Sequence, residues 1–213
     1  MSPRTARIDL PDQFYHITNR GERKEKIFLR DIDYMVFYRY LVELWSELDF
    51  DLNAYVLMPN HFHLLIYRRN SSLGEILHRL ETRYAEYFNK EYNLVGHVYQ
   101  ERYHSFIIAN QNYLKNVVYY IHRNPIDGYI VEKEENYNYS SASIYHGLKK
   151  DPTVKVINLF SGKDGIKKYI KGLYEMENFQ FPLFRDAIGE KQDYLVIEKR
   201  KNRIEKFNRE RRN

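Results

Sequence analysis

The sequence contains no cysteine, which excludes disulfides, thiolate nucleophiles and cysteine-ligated zinc together. It also lacks any apolar run of about eighteen residues, the minimum for a transmembrane helix, and its first residues carry no apolar secretion-signal core. These absences predict a cytoplasmic chain without a membrane partner. Neither an internal repeat nor a low-complexity stretch interrupts the 213 residues, so one main domain with an appendage and a sizeable core is expected. Basic excess is missing from most of the chain too. The formal net charge is +5, yet residues 199–213 alone carry +6, with eight Lys or Arg against two Glu, leaving −1 on the first 198. Such a tail attracts phosphate polyanions and releases them as salt rises, although a solvated helix end or a tail selected for solubility has the same composition.

What is abundant is aromatic, 16% of residues with 21 tyrosines. Most belong in a core or at its boundary, but tyrosines on a solvated sheet face can also stack unpaired bases. Alternation from Phe14 to Asn19 predicts a first strand, ended by Arg20-Gly21. Tyr34, Phe37, Tyr38, Leu41, Leu44, Trp45 and Leu48 then keep helical spacing, with Asp31 as N-cap. A hairpin over residues 51–67 follows, then a helix with capping-box spacing at Ser72 and Glu75, then a strand over 105–109. With the helix described below, the order β-α-β-β-α-β-α predicts an α+β fold, a ferredoxin-like (RRM-like) antiparallel sheet with helices on one face and the other face open. Residues 147–153 read as a linker, Ile166 to Tyr174 as a further helix, and residues from 190 onward as a charged helix entering the tail. The expected division is a main unit over 1–148 and a helical C-terminal extension with a basic tail over 149–213.

Two segments carry candidate chemistry. In Tyr55-Val56-Leu57-Met58-Pro59-Asn60-His61-Phe62-His63-Leu64-Leu65, side chains alternate across a strand. His61 and His63 therefore project together while Phe62 points to a core. Pro59-Asn60 suits the centre of a β-turn, because proline presets φ and asparagine tolerates the left-handed region. Half of a metal site is one reading of this pair; surface or core-edge histidines are the other. Sixty residues on, Leu114, Val117, Val118 and Ile121 mark a helix whose apolar stripe faces the sheet and which ends near Asn124, before Pro125. At about 100° per residue, Tyr120 and Asn124 lie within about 40° of each other, while Tyr119 points about 100° away from Tyr120. Tyr120 and Asn124 read equally well as a functional pair or as a boundary residue and a helix cap.

Together these segments resemble a known family. Tyr15-His16-Ile17-Thr18-Asn19-Arg20-Gly21, Ala54 to Ile66, Gly96-His97-Val98-Tyr99-Gln100-Glu101-Arg102-Tyr103, Tyr120-Ile121-His122-Arg123-Asn124-Pro125 and Tyr139-Ser140-Ser141 are similar, in order and spacing, to the IS200-like single-tyrosine transposases. Within that group they look most like the REP-associated tyrosine transposases of the HUH endonuclease superfamily. The resemblance runs from about residue 8 to about residue 148. It implies a metal-dependent single-stranded DNA endonuclease and strand transferase acting at hairpin-containing repeats. Tyr120 would be the nucleophile and form a 5′-phosphotyrosine. His61, His63 and Asn124 would hold Mg2+ or Mn2+, with asparagine where the wider group commonly has glutamine.

Arg20, Arg102 and Arg123 lie inside the matching blocks and are candidates for nucleic-acid binding, since guanidinium groups clamp phosphates bidentately. His16, on the strand expected beside the metal strand, reads either as a group supporting the ligands or as a core histidine, the latter preferred, and His122 is excluded as a ligand because it points elsewhere on the helix. No nucleotide cofactor is expected, because the broken phosphodiester's energy would be kept in the covalent link. A monomer acting in cis is preferred over a homodimer. Competing readings are a domesticated single-stranded DNA-binding or regulatory protein, an RNA-binding module and a metal hydrolase using water. The RNA reading leaves the histidine pair unexplained.

Overall fold

The computed structural model describes residues 8–175 together with the short strands Leu183–Phe184 and Ala187–Ile188. The charged helix and the basic tail read from the sequence lie outside the described residues. Strand β1 (Gln13–Arg20) runs antiparallel between β3 (His61–Arg68) and β4 (His104–Ile108), and β2 (Phe50–Met58) flanks β3, giving the order β2-β3-β1-β4. Two further strands, β5 (Leu183–Phe184) and β6 (Ala187–Ile188), extend the sheet beyond β4, with β6 parallel to it. Helices α1 (Asp31–Glu47) and α2 (Leu73–Tyr92) complete the β-α-β-β-α-β order of the ferredoxin-like fold.

Alternation decides what each face buries. Phe62 points between the helices and meets Phe37 of α1 with ring centroids 5.1 Å apart, and Phe37 in turn meets Tyr84 of α2 at 5.1 Å. All three are fully buried, and deleting any one such ring costs about 3–5 kcal/mol. Ser72 caps α2 as its spacing predicts, its Oγ accepting from the Glu75 N–H at 3.0 Å. The start of α1 differs from expectation. Asp31 is the first helical residue, and Asp33 does the capping: its Oδ2 accepts from the N–H groups of Leu29 and Arg30, both at 2.8 Å. Asp33 is fully buried, and Tyr87 and Tyr92 also donate to its carboxylate, so one side chain ties α1 to α2.

The expectation of an open second face requires correction. Helix α3 (Gln111–Asp127) lies on the side away from α1 and α2, with Val117, Val118 and Ile121 buried beneath it. The same apolar stripe that predicts the helix needs a sheet surface to cover, and the α1/α2 face is already occupied. The helix also runs past Asn124. Pro125 removes one backbone donor, but the Gly128 N–H still reaches the Asn124 carbonyl at 2.8 Å, so the last turn persists.

Two backbone devices hold the sheet near β3. The Pro59-Asn60 turn closes the hairpin as expected and is gripped by residues 21–28. The Gly21 N–H donates to the Asn60 carbonyl at 2.9 Å, and the Ile27 and Phe28 N–H groups to the Pro59 carbonyl at 2.9 and 3.0 Å. Gly21 is required here because a Cβ would collide with the Glu25 carbonyl. At the far side, residues 139–141 seal the β2 edge: Leu57 donates to the Tyr139 carbonyl and Ser141 to the Tyr55 carbonyl. Behind α3, α4 (Ala142–Tyr145) and α5 (Gly162–Glu175) add a second small core around Tyr119, Tyr145, Phe160 and Tyr169. Among the described residues, no helix is long and apolar enough to cross a membrane.

Candidate functional site

The cluster sits where β1, β3 and α3 meet. His61 and His63 share the β3 face opposite Phe62, as alternation requires, with ring centroids 5.0 Å apart. Tyr120 projects from α3 onto this pair, 5.3 Å from the His63 ring and 5.8 Å from that of His16. One helical turn on, the Asn124 Nδ2 donates to the Tyr120 carbonyl at 2.7 Å, which turns its Oδ1 toward the histidines. That oxygen lies 3.5 Å from the His61 Nε2.

Hydrogen bonds fix which nitrogens are free. Asn60 donates through Nδ2 to the Lys24 carbonyl at 3.1 Å, so its Oδ1 is an acceptor, and it takes the His61 Nδ1 proton at 2.7 Å. His61 Nε2 is therefore unprotonated in the neutral ring and faces another acceptor, the Asn124 oxygen. His63 is held from behind by a second imidazole, its Nδ1 2.9 Å from the His16 Nε2. Burial lowers the pKa of all three imidazoles. That of His16 falls to about 4, and that of His63 lies well below the ordinary value, with the neighbouring His16 and His61 adding to the effect and Asn124 opposing it. At His61, burial outweighs the Asn124 oxygen, and Arg20 adds to the depression. Burial also raises the Tyr120 hydroxyl above its ordinary value, opposed by Asn124 and helped by Asp127.

Tyr119 takes no part in this cluster. It is buried against Phe160 and Tyr169, and a Cβ on Gly172 of α5 would collide with its hydroxyl. His122 is likewise a packing residue, fully buried between the Tyr169 hydroxyl at 2.8 Å and the Ser141 Oγ at 2.7 Å. Of the three arginines, Arg20 stands beside the cluster: it pairs with His61 in the ladder, is exposed, and donates to the Gln100 Oε1 at 3.2 Å. Arg102 lies elsewhere, exposed in a groove of about 410 Å³ with His78 and Glu81 of α2. Arg123 reaches toward α5, donating to the Leu173 carbonyl and to Asp127, both at 3.4 Å.

Two participants were not assigned from the sequence. His16 reads there preferably as a core residue, and Asn60 only as a turn former. Strand parity offers a signal for His16, since the β1–β3 register sets it opposite Leu65, diagonal to His63 and on the same face. For Asn60 the signal is weaker, because its role depends on side-chain orientation. Phe106 and His104 on β4 extend the aromatic surface outward from His16, with centroids 6.1 Å from His16 to Phe106 and 6.3 Å from Phe106 to His104.

Fold and cluster together define a ferredoxin-like α+β protein with a histidine-pair and tyrosine centre between its sheet and a covering helix. The sequence profile described as "Transposase IS200 like" matches residues 10–124, more than half of the chain, and the chain belongs to that family, the single-tyrosine DNA transposases. Among solved structures, a REP-associated tyrosine transposase bound to a REP hairpin is similar at 15% identity and TM-score 0.59, covering 74% of this chain and 99% of that one. At that identity the likeness bears on the fold. A crystal structure from Deinococcus radiodurans R1, provisionally named a transposase, matches at 14% identity and TM-score 0.39 over 57% of this chain and 95% of that one, too distantly to carry an argument. No curated protein matches the sequence.

Proposed function

We propose that Tyr120 is the nucleophile of a single-stranded DNA strand-transfer reaction, and that His61, His63 and Asn124 hold the divalent cation it uses. The observation that carries this reading is the convergence of His61, His63, Asn124 and Tyr120, with the His61 Nε2 3.5 Å from the Asn124 oxygen and the Tyr120 ring 5.3 Å from that of His63. With Asn60 accepting from the His61 Nδ1, the Nε2 can give its lone pair to a cation that the Asn124 oxygen shares. Depressed histidine pKa values keep the rings neutral near pH 7 and so available as ligands. Two imidazoles and an amide oxygen, with no carboxylate, suit Mg2+ or Mn2+ in the presence of substrate phosphate. When bound, such an ion supplies Lewis-acid polarisation of the phosphate oxygens.

The chain's own residues do the rest. The Tyr120 oxygen attacks phosphorus, the bond to the 3′ oxygen breaks, and the tyrosine proton leaves as the 3′ oxygen becomes a hydroxyl. A 5′-phosphotyrosine results, and attack by a second 3′-hydroxyl reverses the step and rejoins DNA. Arg20, at the edge of the cluster, is placed to hold a flanking phosphate, and Phe106 offers a base a stacking surface. Arg102 and Arg123, lying farther out, are proposed as contacts to DNA beyond the cleaved bond. Likeness to a transposase bound to a REP hairpin supports hairpin-bearing single strands as the substrate and kinship with the REP-associated branch. Tyr120 approaches the histidines of its own chain, an arrangement that a monomer acting in cis can use. All of these residues fall within 1–148, the proposed catalytic unit.

The test is incubation with Mn2+ and labelled single-stranded hairpin oligonucleotides, followed by a denaturing gel. A protein-linked label should form with wild type and Tyr119→Phe and vanish with Tyr120→Phe. Binding without any adduct would instead indicate a regulatory DNA-binding protein, and cleavage without an adduct would indicate hydrolysis by water.

A further inference from the structure

A second group of metal-ligating side chains lies behind α3, away from the Tyr120 cluster. Glu134 and Glu135 stand in a 3-10 turn (Glu134–Asn136) after α3, and His146 follows α4. One ligand atom from each lies within 4.8 Å of the other two. The His146 Nε2 is 2.6 Å from the Glu134 Oε1 and 3.8 Å from the Glu135 Oε2.

What sets this group apart is its burial. Glu134 is 0% exposed, and its second oxygen, Oε2, is enclosed with no hydrogen-bond partner; the Glu135 Oε2 is enclosed and unpartnered as well. Among the described residues no Lys or Arg forms an ion pair with either carboxylate. Leaving one buried carboxylate oxygen unsatisfied is costly, and leaving two side by side adds like-charge repulsion. His146 can neutralise one carboxylate at most. A divalent cation that displaced the His146 Nε2 proton to solvent and was coordinated by that nitrogen and both glutamates would give the enclosed oxygens a partner and balance both charges.

We infer that Glu134, Glu135 and His146 form a structural site for a divalent transition-metal ion. Two carboxylates and one imidazole match the mixed oxygen and nitrogen preference of Zn2+, with Mn2+ a weaker fit, whereas an all-oxygen set would suit Ca2+ or Mg2+. The site would staple the turn after α3 to the end of α4. Its charge also bears on α3 through Tyr169, which lies edge-on to His146 at 5.3 Å and bonds to His122 of α3. This inference does not rest on the proposed catalytic centre.

Zinc binding to the full chain tests it, after dialysis against a chelator and in a His61→Ala background that weakens the other centre. Competition with a chromophoric chelator should give one tightly held Zn2+ per chain. Adding Glu135→Gln, an isosteric change at a partly exposed side chain, should weaken that binding at least tenfold, and His146→Ala should do the same. Zn2+ should also raise the melting temperature of the His61→Ala protein but not of the variant that also carries Glu135→Gln. Failure of the His61→Ala protein to take up zinc would overturn the inference. So would equal binding by the Glu135→Gln or His146→Ala chains.

Discussion

At the scale of single residues, the candidate centre depends on side chains that hold the candidate ligands in place. Asn60 spends both of its amide functions, one on the Lys24 carbonyl and one on His61, and so selects the tautomer that leaves Nε2 free. Asn60→Ala should therefore weaken Mn2+ binding about 10–100-fold, read by electron paramagnetic resonance titration, while the fold is retained. Local sequence made His61 with His63 and Tyr120 with Asn124 legible as pairs, because each pair is set by the period of one strand or one helix, and the family resemblance joined the two. His16 was legible only as a choice between a supporting and a core histidine, and Asn60 only as a turn former, because their roles arise from cross-strand register and from the orientation of an amide. Glu134, Glu135 and His146 were illegible for a further reason: only the packing of α4 beneath α3 brings the two segments together.

Elements show the same division between periodic and tertiary information. The seven main elements and the hairpin turn follow from alternation, helical spacing and one proline. The side of the sheet that α3 covers does not, because an apolar stripe records that a surface is buried but not which surface. The start of α1 is a smaller instance, with Asp33 in place of the expected Asp31. Burial alone would raise the Asp33 pKa, but hydrogen bonds from Tyr92, Tyr87 and the Arg30 and Leu29 N–H groups hold it below the ordinary value. A carboxyl depressed in the folded state stabilises the protein above the unfolded pKa of about 4 and loses that contribution as pH falls through the folded value. Asp33→Asn should melt lower than wild type at pH 7, by about 1.5–3 kcal/mol in stability, and should show a flatter decline in thermal melts as pH falls below about 4.

For the whole molecule, the question is how the C-terminal segment bears on the rest. Helix α5 lies against α3 at its glycine: Gly172 admits the Tyr119 hydroxyl where any side chain would overlap it. Gly172→Ala should cost about 1–3 kcal/mol in urea unfolding, and the penalty should largely disappear in a Tyr119→Leu background, where the ring is gone. Tyr119 is also the immediate neighbour of Tyr120, so this contact grips the helix that carries the proposed nucleophile. By contrast, the histidine hairpin is locked by ladder bonds on both sides and by residues 21–28 clasping its turn. The centre thus has one jaw held by backbone ladder bonds and one held by side-chain packing. In the proposed reaction, the α5 contact would set how firmly Tyr120 is held over the histidines.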